Sequence, residues 1–393
     1  MRSTIGSYWD AAAGRPAGFD LWRVVLALSV VLWHAIIIAH GVSMDQWFQA
    51  GPWRPAIFAI VPAFFALSGF LVAGSLERNN LVSFLTLRAM RIFPALGAEV
   101  LISAFVLGAI FTTLPLGQYF RSPGLYAYFL NMIGDIHYFL PGVFKDVPLK
   151  GVVNEQLWPI PYELDCYIAL AVLSLLGVAR RPALLLALTA GANLLLLAYL
   201  AVRQGFGQTG EVASGRFLIF CFLYGVIFYQ QRGRILLSVP LLLVSLAICI
   251  ASVYVSTAIY LAPLPLAYVT VYFGVQRFKL PGLQMAANYS YPVYLYGFPI
   301  QQAVCSVFPD HRVWYFNFLV AGAITIGVGA LSWHFLESKI SARRKPILNF
   351  VNLIAGRLAE PPALFIRPVR ALFTRGGAVK APLRGSESSE STP

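Results

Sequence analysis

The chain has 393 residues, of which 59% are hydrophobic and 11% are charged. A soluble domain of this length carries roughly 25% charged residues, so the composition excludes an ordinary soluble protein and indicates an integral membrane protein. The net charge of +13 comes from basic residues between apolar segments and in the C-terminal tail. Because no aromatic residues interleave with them in a patch, nucleic acid is not an expected partner.

Apolar stretches of about twenty residues recur along residues 21–337, and each is long enough to cross a hydrocarbon core about 30 Å thick as a helix. The ten-residue alternation of transmembrane strands is not found. We therefore predict an all-α, polytopic transmembrane helical bundle of about ten spans, in which the adjoining pairs near residues 180 and 253 leave open a kinked or re-entrant segment. The predicted spans are 21–40, 56–76, 92–114, 157–179, 182–202, 215–231, 234–252, 255–275, 288–308 and 314–336.

The placement of basic residues predicts that both chain termini are cytoplasmic. With the N-terminus inside, nine Lys and Arg residues fall in inner connections and seven in outer ones, three lie at the N-terminal end and ten in the tail. Residues 1–340 form the predicted transmembrane domain. Residues 341–380 mix basic residues, prolines and apolar clusters, which predicts a cytoplasmic amphipathic tail on anionic lipid. Residues 381–393 are predicted to be disordered.

The first predicted span carries ionisable side chains that are costly inside a membrane. Arg23 and His34 are eleven residues apart, which is three helical turns plus about 20°, so they share one face about 16 Å apart. Arg23 is then near the cytoplasmic interface, and His34 is near mid-bilayer, where its imidazole can exchange a proton near pH 7. Two alternatives stay open: His34 hydrogen-bonds a neighbouring helix, and Arg23 forms a plain interfacial ion pair with Asp20.

The second and third spans contribute small and basic residues. Ser68-Gly69 interrupts an apolar helix, which predicts either close backbone approach or a hydroxyl that points into a cavity. Arg88 and Arg91 are one helical turn apart at the predicted cytoplasmic mouth of the third span. Their guanidinium groups suit phosphate oxygens, although ordinary anchoring by positive charge is an equal alternative.

The fourth span opens with LWPIPYELDCY, which combines carboxylates and aromatic rings near the predicted outer boundary. Glu163 and Asp165 among Trp158, Tyr162 and Tyr167 resemble sugar-binding chemistry, in which rings stack on apolar sugar faces. The alternative is a helix N-terminus that acidic groups stabilise in its first turn.

Taken together in chain order, these sequence motifs resemble those of the acyltransferase-3 family of membrane acyltransferases over about residues 19–340. Each motif alone is weak, whereas the ordered set is specific. Two positions depart from the family pattern: Gly297 stands where many members have His, and PIPYE stands where S-L-x-x-E is frequent. The matching positions are Phe19, Asp20, Arg23, His34, Phe64, Phe65, Ser68, Gly69, Phe70, Leu71, Arg88, Arg91, Pro94, Trp158, Glu163 and Tyr167, followed by SYPVYLYGFPIQQ and by LSWHFLE ending at Glu337.

The resemblance implies an O-acyltransferase (EC 2.3.1.-) of the bacterial inner membrane that moves an acyl group, most often acetyl in this family, from cytoplasmic acyl-CoA to a hydroxyl of an extracytoplasmic saccharide or glycoconjugate. His34 would act as general base or acyl carrier, and Glu163 would orient the acceptor. Acyl-CoA is a donor substrate, and neither a metal nor a permanently bound cofactor is expected. The implied donor-binding residues are Arg23, Ser68, Arg88 and Arg91, and the acceptor-binding residues are Asp20, Trp158, Tyr162, Asp165 and Tyr167.

The rival interpretation is a transporter or flippase of a lipid-linked or acylated saccharide. Ten helices with buried ionisable groups suit it on physical grounds, but the two halves of the sequence show no convincing internal repeat of the transporter kind. The sequence does not identify the oligomeric state.

Overall fold

The computed structural model describes residues 3–206, 214–255 and 257–359, and within these ranges the chain is helical with no strand, only isolated backbone bridges. Ten helices overlap the ten predicted spans, which confirms an all-α polytopic protein. These helices are α2 Ala17–His40, α4 Arg54–Arg78, α5 Leu81–Ile102, α9 Ile160–Leu175, α10 Pro182–Gln204, α11 Gly215–Gln230, α12 Val239–Ser252, α13 Pro263–Gly274, α14 Leu283–Val307 and α15 Trp314–Ser332.

Shorter helical segments connect or extend these ten helices. The short α-helices are α1 Ile5–Ala11, α3 Val42–Ala50, α6 Gly108–Phe111, α7 Leu116–Tyr119, α8 Pro123–Tyr128, α16 Ser338–Ala342 and α17 Arg344–Ala359. The 3-10 turns are Phe129–Ile133, Glu155–Leu157, Val178–Arg180, Thr257–Leu261 and Pro309–His311, and single π-helical turns at Ser103–Leu107 and Trp333–Glu337 extend α5 and α15.

The ten helices differ in their ability to cross a membrane. Within the described ranges, five helical segments are long and apolar enough, and α11 and α12 are apolar but shorter. The 12-residue α13 reaches only about 18 Å and buries eight of its residues, so it is an interior helix rather than a lipid-facing one. The five long segments are Ala17–His40, Arg54–Arg78, Leu81–Phe111, Pro182–Arg203 and Trp314–Ala342.

Both ends of the described chain lie at one face of the bundle, which we call the N-side; the opposite face is the far side. Helix α1 packs on the connection after α11, where Gly6 N donates to Arg232 O at 2.7 Å. Near the other end, Asn352 Nδ2 of α17 donates to Ser83 Oγ at 2.9 Å, beside the start of α5. The shared face agrees with an even number of crossings between these two ends of the described chain.

The third span begins at Leu81 rather than near residue 92. Asn80 caps it, because its side chain accepts a hydrogen bond from Ser83 N at 2.8 Å. Arg88 and Arg91 therefore lie about 10 Å and 15 Å along the helix instead of at its mouth. The first turns read LVSFLTL, in which Ser and Thr dilute the apolar run, so hydrophobic length alone starts the span too late.

The long loop, residues 112–159, folds into the bundle instead of covering it. Gln156 is only 1% exposed. From α14, Gln302 Nε2 donates to the carbonyl oxygens of Leu149 at 2.9 Å and Val152 at 2.8 Å. Irregular backbone inside a membrane protein needs such hydrogen-bond partners, because no bulk water is present to satisfy its N–H and C=O groups. Since the loop ends inside the bundle, α9 begins there too.

The predicted tail begins as a helix. On α17, the side chains of Phe350, Leu353 and Ile354 are between 41% and 63% exposed, an apolar surface of the kind an amphipathic segment presents. Its contact with lipid stays a prediction. Residues 360–380 of the predicted tail and the predicted disordered segment 381–393 lie outside the described residues.

Helices α4 and α11 meet backbone to backbone through two glycines. A Cβ atom on Gly69 would lie 2.0 Å from the carbonyl oxygen of Phe222, and one on Gly225 would lie 2.2 Å from that of Ala66. Only residues without a side chain permit so close an approach. The contact agrees with close backbone approach at Gly69, one of the two interpretations of the Ser68-Gly69 pair.

Candidate functional site

Two cavities lie inside the bundle along α2, and Arg23 and His34 line one each. The arginine cavity has a volume of about 140 Å³, and α2, α4, α5, α9 and α14 supply its walls together with the end of the long loop. By the same measure a single bound water needs roughly 10–15 Å³, so the cavity exceeds a structural water site. Its polar and aromatic lining comprises Arg23, Phe64, Phe65, Ser68, Arg88, Arg91, Glu163, Tyr167, Ser290, Tyr291 and Tyr294.

Three arginines face a single carboxylate, that of Glu163, in the arginine cavity. Arg23 Nη1 lies 3.4 Å from Asp20 Oδ1, so the ion pair considered from the sequence is formed. Within the described ranges neither Arg88 nor Arg91 forms an ion pair. The cavity is therefore positively charged, and guanidinium groups match the oxygens of phosphate.

Tyrosine rings hold the two arginines of α5 in place. The guanidinium carbon of Arg88 is 5.9 Å from the ring centre of Tyr167, and that of Arg91 is 5.4 Å from the ring centre of Tyr291. The Nε atom of Arg88 is buried and has no hydrogen-bond partner among the described residues. Such cation–π contacts orient the cations but leave most of their N–H donors free for an anion.

Glu163, Tyr167 and Ser68 form a hydrogen-bonded chain in the arginine cavity. Tyr167 Oη donates to Glu163 Oε1 and lies 3.3 Å from Ser68 Oγ. The sequence predicts Glu163 at the outer mouth with the acceptor, whereas in the structure its side chain lines the same cavity as Arg88 and Arg91. The physical reason is that the long loop carries the start of α9 into the bundle, so the first turn of this helix is not at the surface.

The second cavity, which we call the histidine cavity, lies towards the far side. It has a volume of about 250 Å³ and is lined by residues of α2, α3, α4, α14 and the end of the long loop. Trp158, one of the predicted acceptor-binding residues, belongs to it. Its polar and aromatic lining comprises Trp33, His34, Asp45, Gln49, Glu155, Gln156, Trp158 and Tyr294, together with Phe58.

His34 presents an unpaired imidazole to the histidine cavity. Its ring meets Phe298 edge-on, with 5.0 Å between ring centres. Among the described residues no group accepts from or donates to its ring nitrogens, so the alternative that His34 merely hydrogen-bonds a neighbouring helix is not realised. Next to Phe298, Gly297 lets α14 approach α2, because a Cβ atom there would lie 3.3 Å from Val31 Cγ2.

A thin wall separates the two cavities. Val61 and Tyr294 line both of them, and the consecutive residues Trp158 and Pro159 line one each. Tyr294 Oη donates to the carbonyl oxygen of Gln156, which fixes the ring against the long loop. A group that entered from the arginine cavity would therefore reach the histidine cavity by passing Val61 and Tyr294.

Three predicted residues lie outside both cavities. Asp165 is exposed, Tyr162 packs against Gly215, and Asp20 is held by Arg23. On a helix, residues one and two positions from Glu163 point about 100° and 200° away from it, whereas a residue four positions along returns to the same face. Helical rotation thus explains why Tyr167 joins Glu163 in the arginine cavity while Tyr162 and Asp165 do not.

The sequence prediction lacks six polar and aromatic residues of the histidine cavity, namely Trp33, Asp45, Gln49, Phe58, Glu155 and Gln156. Asp45 and Gln49 stand four apart on α3, and Gln49 Nε2 donates to Asp45 Oδ1 at 3.4 Å. Burial raises the pKa of Glu155, and the charge of Asp45 raises it further, so the two carboxyl groups sense each other. The spacing on α3 is readable from the sequence, whereas the return of the long loop to α3 is not.

Comparison with known proteins identifies the family. The family model described as an acyltransferase domain, acyltransferase-3, matches residues 17–335, which include every residue of both cavities named above. The O-acetyl transferase of Shigella phage Sf6 is 25% identical over 357 residues, covering 84% of this chain and 98% of that protein. No solved structure matches. The chain therefore belongs to the acyltransferase-3 family, and it is an acyltransferase of class EC 2.3.1.-.

Proposed function

We propose that the chain transfers an acyl group, in the first instance acetyl, from acyl-CoA in the arginine cavity to a hydroxyl of a saccharide or glycoconjugate in the histidine cavity. The observation that carries the proposal is the shared wall at Val61 and Tyr294, with the arginines on one side and the free imidazole of His34 on the other. The O-acetyl transferase of phage Sf6 supports acetyl as the group transferred.

The donor substrate, acyl-CoA, binds in the arginine cavity. CoA carries a pyrophosphate and a 3′-phosphate, and Arg23, Arg88 and Arg91 supply the charge and the donors that these groups need. In the absence of donor, the carboxylate of Glu163 reduces repulsion among the three guanidinium groups. Through its hydrogen bond Glu163 also holds Tyr167 beneath Arg88, so we propose a donor-side role for Glu163 in place of acceptor orientation.

The acyl transfer takes place at the wall between the cavities. His34 accepts the proton of the acceptor hydroxyl while the hydroxyl oxygen attacks the thioester carbonyl carbon; the C–S bond breaks and CoA leaves as its thiolate. General base catalysis of this kind contributes about 10²–10⁴ in rate. In the alternative route a ring nitrogen of His34 attacks the thioester carbonyl carbon and CoA leaves as its thiolate. The acceptor hydroxyl then attacks the acyl-imidazole, which forms the ester and returns the imidazole.

The two cavities fit a reaction that joins two sides of a membrane. Nine basic residues in the inner connections, together with those at the N-terminal end and in the tail, favour the N-side as cytoplasmic. Arg23 lies in the second turn of α2, which begins at the N-side, whereas the histidine cavity is built from far-side elements. Acyl-CoA then arrives from the cytoplasm and the saccharide from outside, which we assign to the bacterial inner membrane.

The proposal is tested with purified protein in liposomes, labelled acetyl-CoA and a mixture of saccharide acceptors. We expect His34→Ala to reduce transfer by about 10² or more while acetyl-CoA still binds. His40→Ala is the matched control, because His40 ends the same helix outside both cavities. Saccharide flux across the bilayer without acyl transfer would instead support the transporter interpretation of the substrate path and overturn the proposal.

A further inference from the structure

The two cavities carry opposite charge. Three arginines and one carboxylate line the arginine cavity, whereas Asp45 and Glu155 line the histidine cavity and no Lys or Arg of the described residues does so. A ligand that suits one cavity is therefore electrostatically unsuited to the other.

The carboxyl groups of the histidine cavity keep most of their acceptor capacity. Among the described residues, the Glu155 carboxyl group has no hydrogen-bond partner, and that of Asp45 has the single weak donor Gln49 at 3.4 Å. Arg54 does not line the cavity; it donates to Val253 O at 2.7 Å, to Gln49 O at 3.1 Å and, at 3.4 Å, to Gln49 Oε1, so the Gln49 amide stands between Arg54 and Asp45. An ionised carboxyl group only accepts hydrogen bonds, so these groups call for a ligand that donates.

An unpaired buried amide points to the same kind of ligand. Gln156 is 99% buried and lines the histidine cavity; its Nε2 donates to Leu295 O at 2.6 Å, while its Oε1 has no partner. Buried polar atoms in folded proteins normally have a hydrogen-bond partner, so this oxygen is an acceptor that a donor group of a ligand in the cavity would satisfy. Trp33 and Trp158 add two aromatic surfaces on which the apolar face of a sugar ring can stack.

We propose that Asp45 and Glu155 select acceptors without negative charge, namely a neutral or amino-bearing sugar ring whose hydroxyl or ammonium groups donate to them and to Gln156. Uronic acids and phosphorylated sugars are disfavoured, because like charges brought together across a binding surface repel strongly. This inference rests on the proposed function, whose acceptor side it specifies.

The test uses protein in nanodiscs, which expose both faces, with labelled acetyl-CoA and three acceptors of equal size: methyl glucoside, methyl glucosaminide and methyl glucuronide. We expect the wild-type protein to acylate the first two at least about tenfold faster than the glucuronide. In the double variant Asp45→Asn, Glu155→Gln the ratio should fall to about threefold or less, mainly through a faster reaction with the glucuronide. Glu155→Gln alone should give an intermediate ratio.

Asp310→Asn is the matched control, because it removes one exposed negative charge from a far-side connection outside both cavities. Equal wild-type rates with glucoside and glucuronide would refute the inference, as would a ratio that the double variant leaves unchanged or that Asp310→Asn changes as much. Acetyl-CoA binding is measured in parallel and checks that each variant is folded. An Arg91→Gln variant separates this inference from the proposed function. If this variant binds acetyl-CoA more weakly than the wild-type protein but no glycoside is acylated, the inference fails and the proposed donor site stands. If it binds acetyl-CoA as tightly as the wild-type protein, the proposed function itself fails.

Discussion

The contact between α4 and α11 leads to a prediction whose size follows from the structure. In Gly69→Ala the new Cβ atom meets the carbonyl oxygen of Phe222 at 2.0 Å, and this backbone atom cannot rotate away as a side chain would. Ordinary contact begins near 3.4 Å, so the helices must separate by about 1.4 Å along this direction. Overpacking of this kind costs about 1–3 kcal/mol, and a gain of up to about 1 kcal/mol in helix propensity offsets part of it.

We expect Gly69→Ala to lower the melting temperature of the protein in detergent by several degrees, measured by thermal denaturation. Gly191→Ala is the matched control: it makes the same change within α10, where a Cβ atom meets nothing within 4 Å, so it should be neutral or slightly stabilising. Because α4 also carries Val61 and Ser68, transfer per folded molecule should fall with Gly69→Ala. Equal stability of the two variants would refute the close approach of α4 and α11.

Three further changes test the cavities. Tyr294→Phe removes the hydrogen bond to Gln156 O, which is worth about 1 kcal/mol. The rate of acetyl-CoA hydrolysis without acceptor, measured as thiol release, should therefore rise about fivefold. An unchanged rate would show that Tyr294 is no barrier to water. Arg91→Gln should raise the Kd of acetyl-CoA, measured by calorimetry, about tenfold. Arg277 is an exposed arginine at the N-side, and Arg277→Gln should leave this Kd unchanged. Equal losses of affinity in the two variants would point to general attraction by positive charge. Gln302→Leu leaves two carbonyl oxygens of the long loop without their donor, so the loop should become sensitive to protease, and continued resistance would mean that other contacts hold it.

The positions of the helices could be predicted from the sequence because a membrane span must satisfy its own backbone and remain apolar over about twenty residues. The same rule fails at the ends of helices. At Leu81 the helix starts where Ser and Thr dilute the apolar pattern, and Asn80 marks the start by a capping bond rather than by hydrophobicity. At α13 the helix is too short to span and is identified as interior only by its neighbours.

Those parts of the candidate site that lie on a single helix could likewise be predicted from the sequence. The spacing of Arg23 and His34 places both on one face of α2, and the structure has each of them line a cavity. The location of Glu163 could not be predicted, because it depends on how deep the preceding loop enters the bundle. Asp45 and Glu155 come together only through the fold: one lies on α3 and the other at the end of a loop more than one hundred residues later.

The long loop is tied to the bundle through its own main chain. Gln302 reaches two of its carbonyl oxygens and Tyr294 reaches a third, and these acceptors exist whatever side chains the loop carries. Substitutions at Glu155 or Trp158 can therefore change the lining of the histidine cavity while these main-chain hydrogen bonds remain. A loop attached in this way tolerates changes in its own side chains without losing its position against α14.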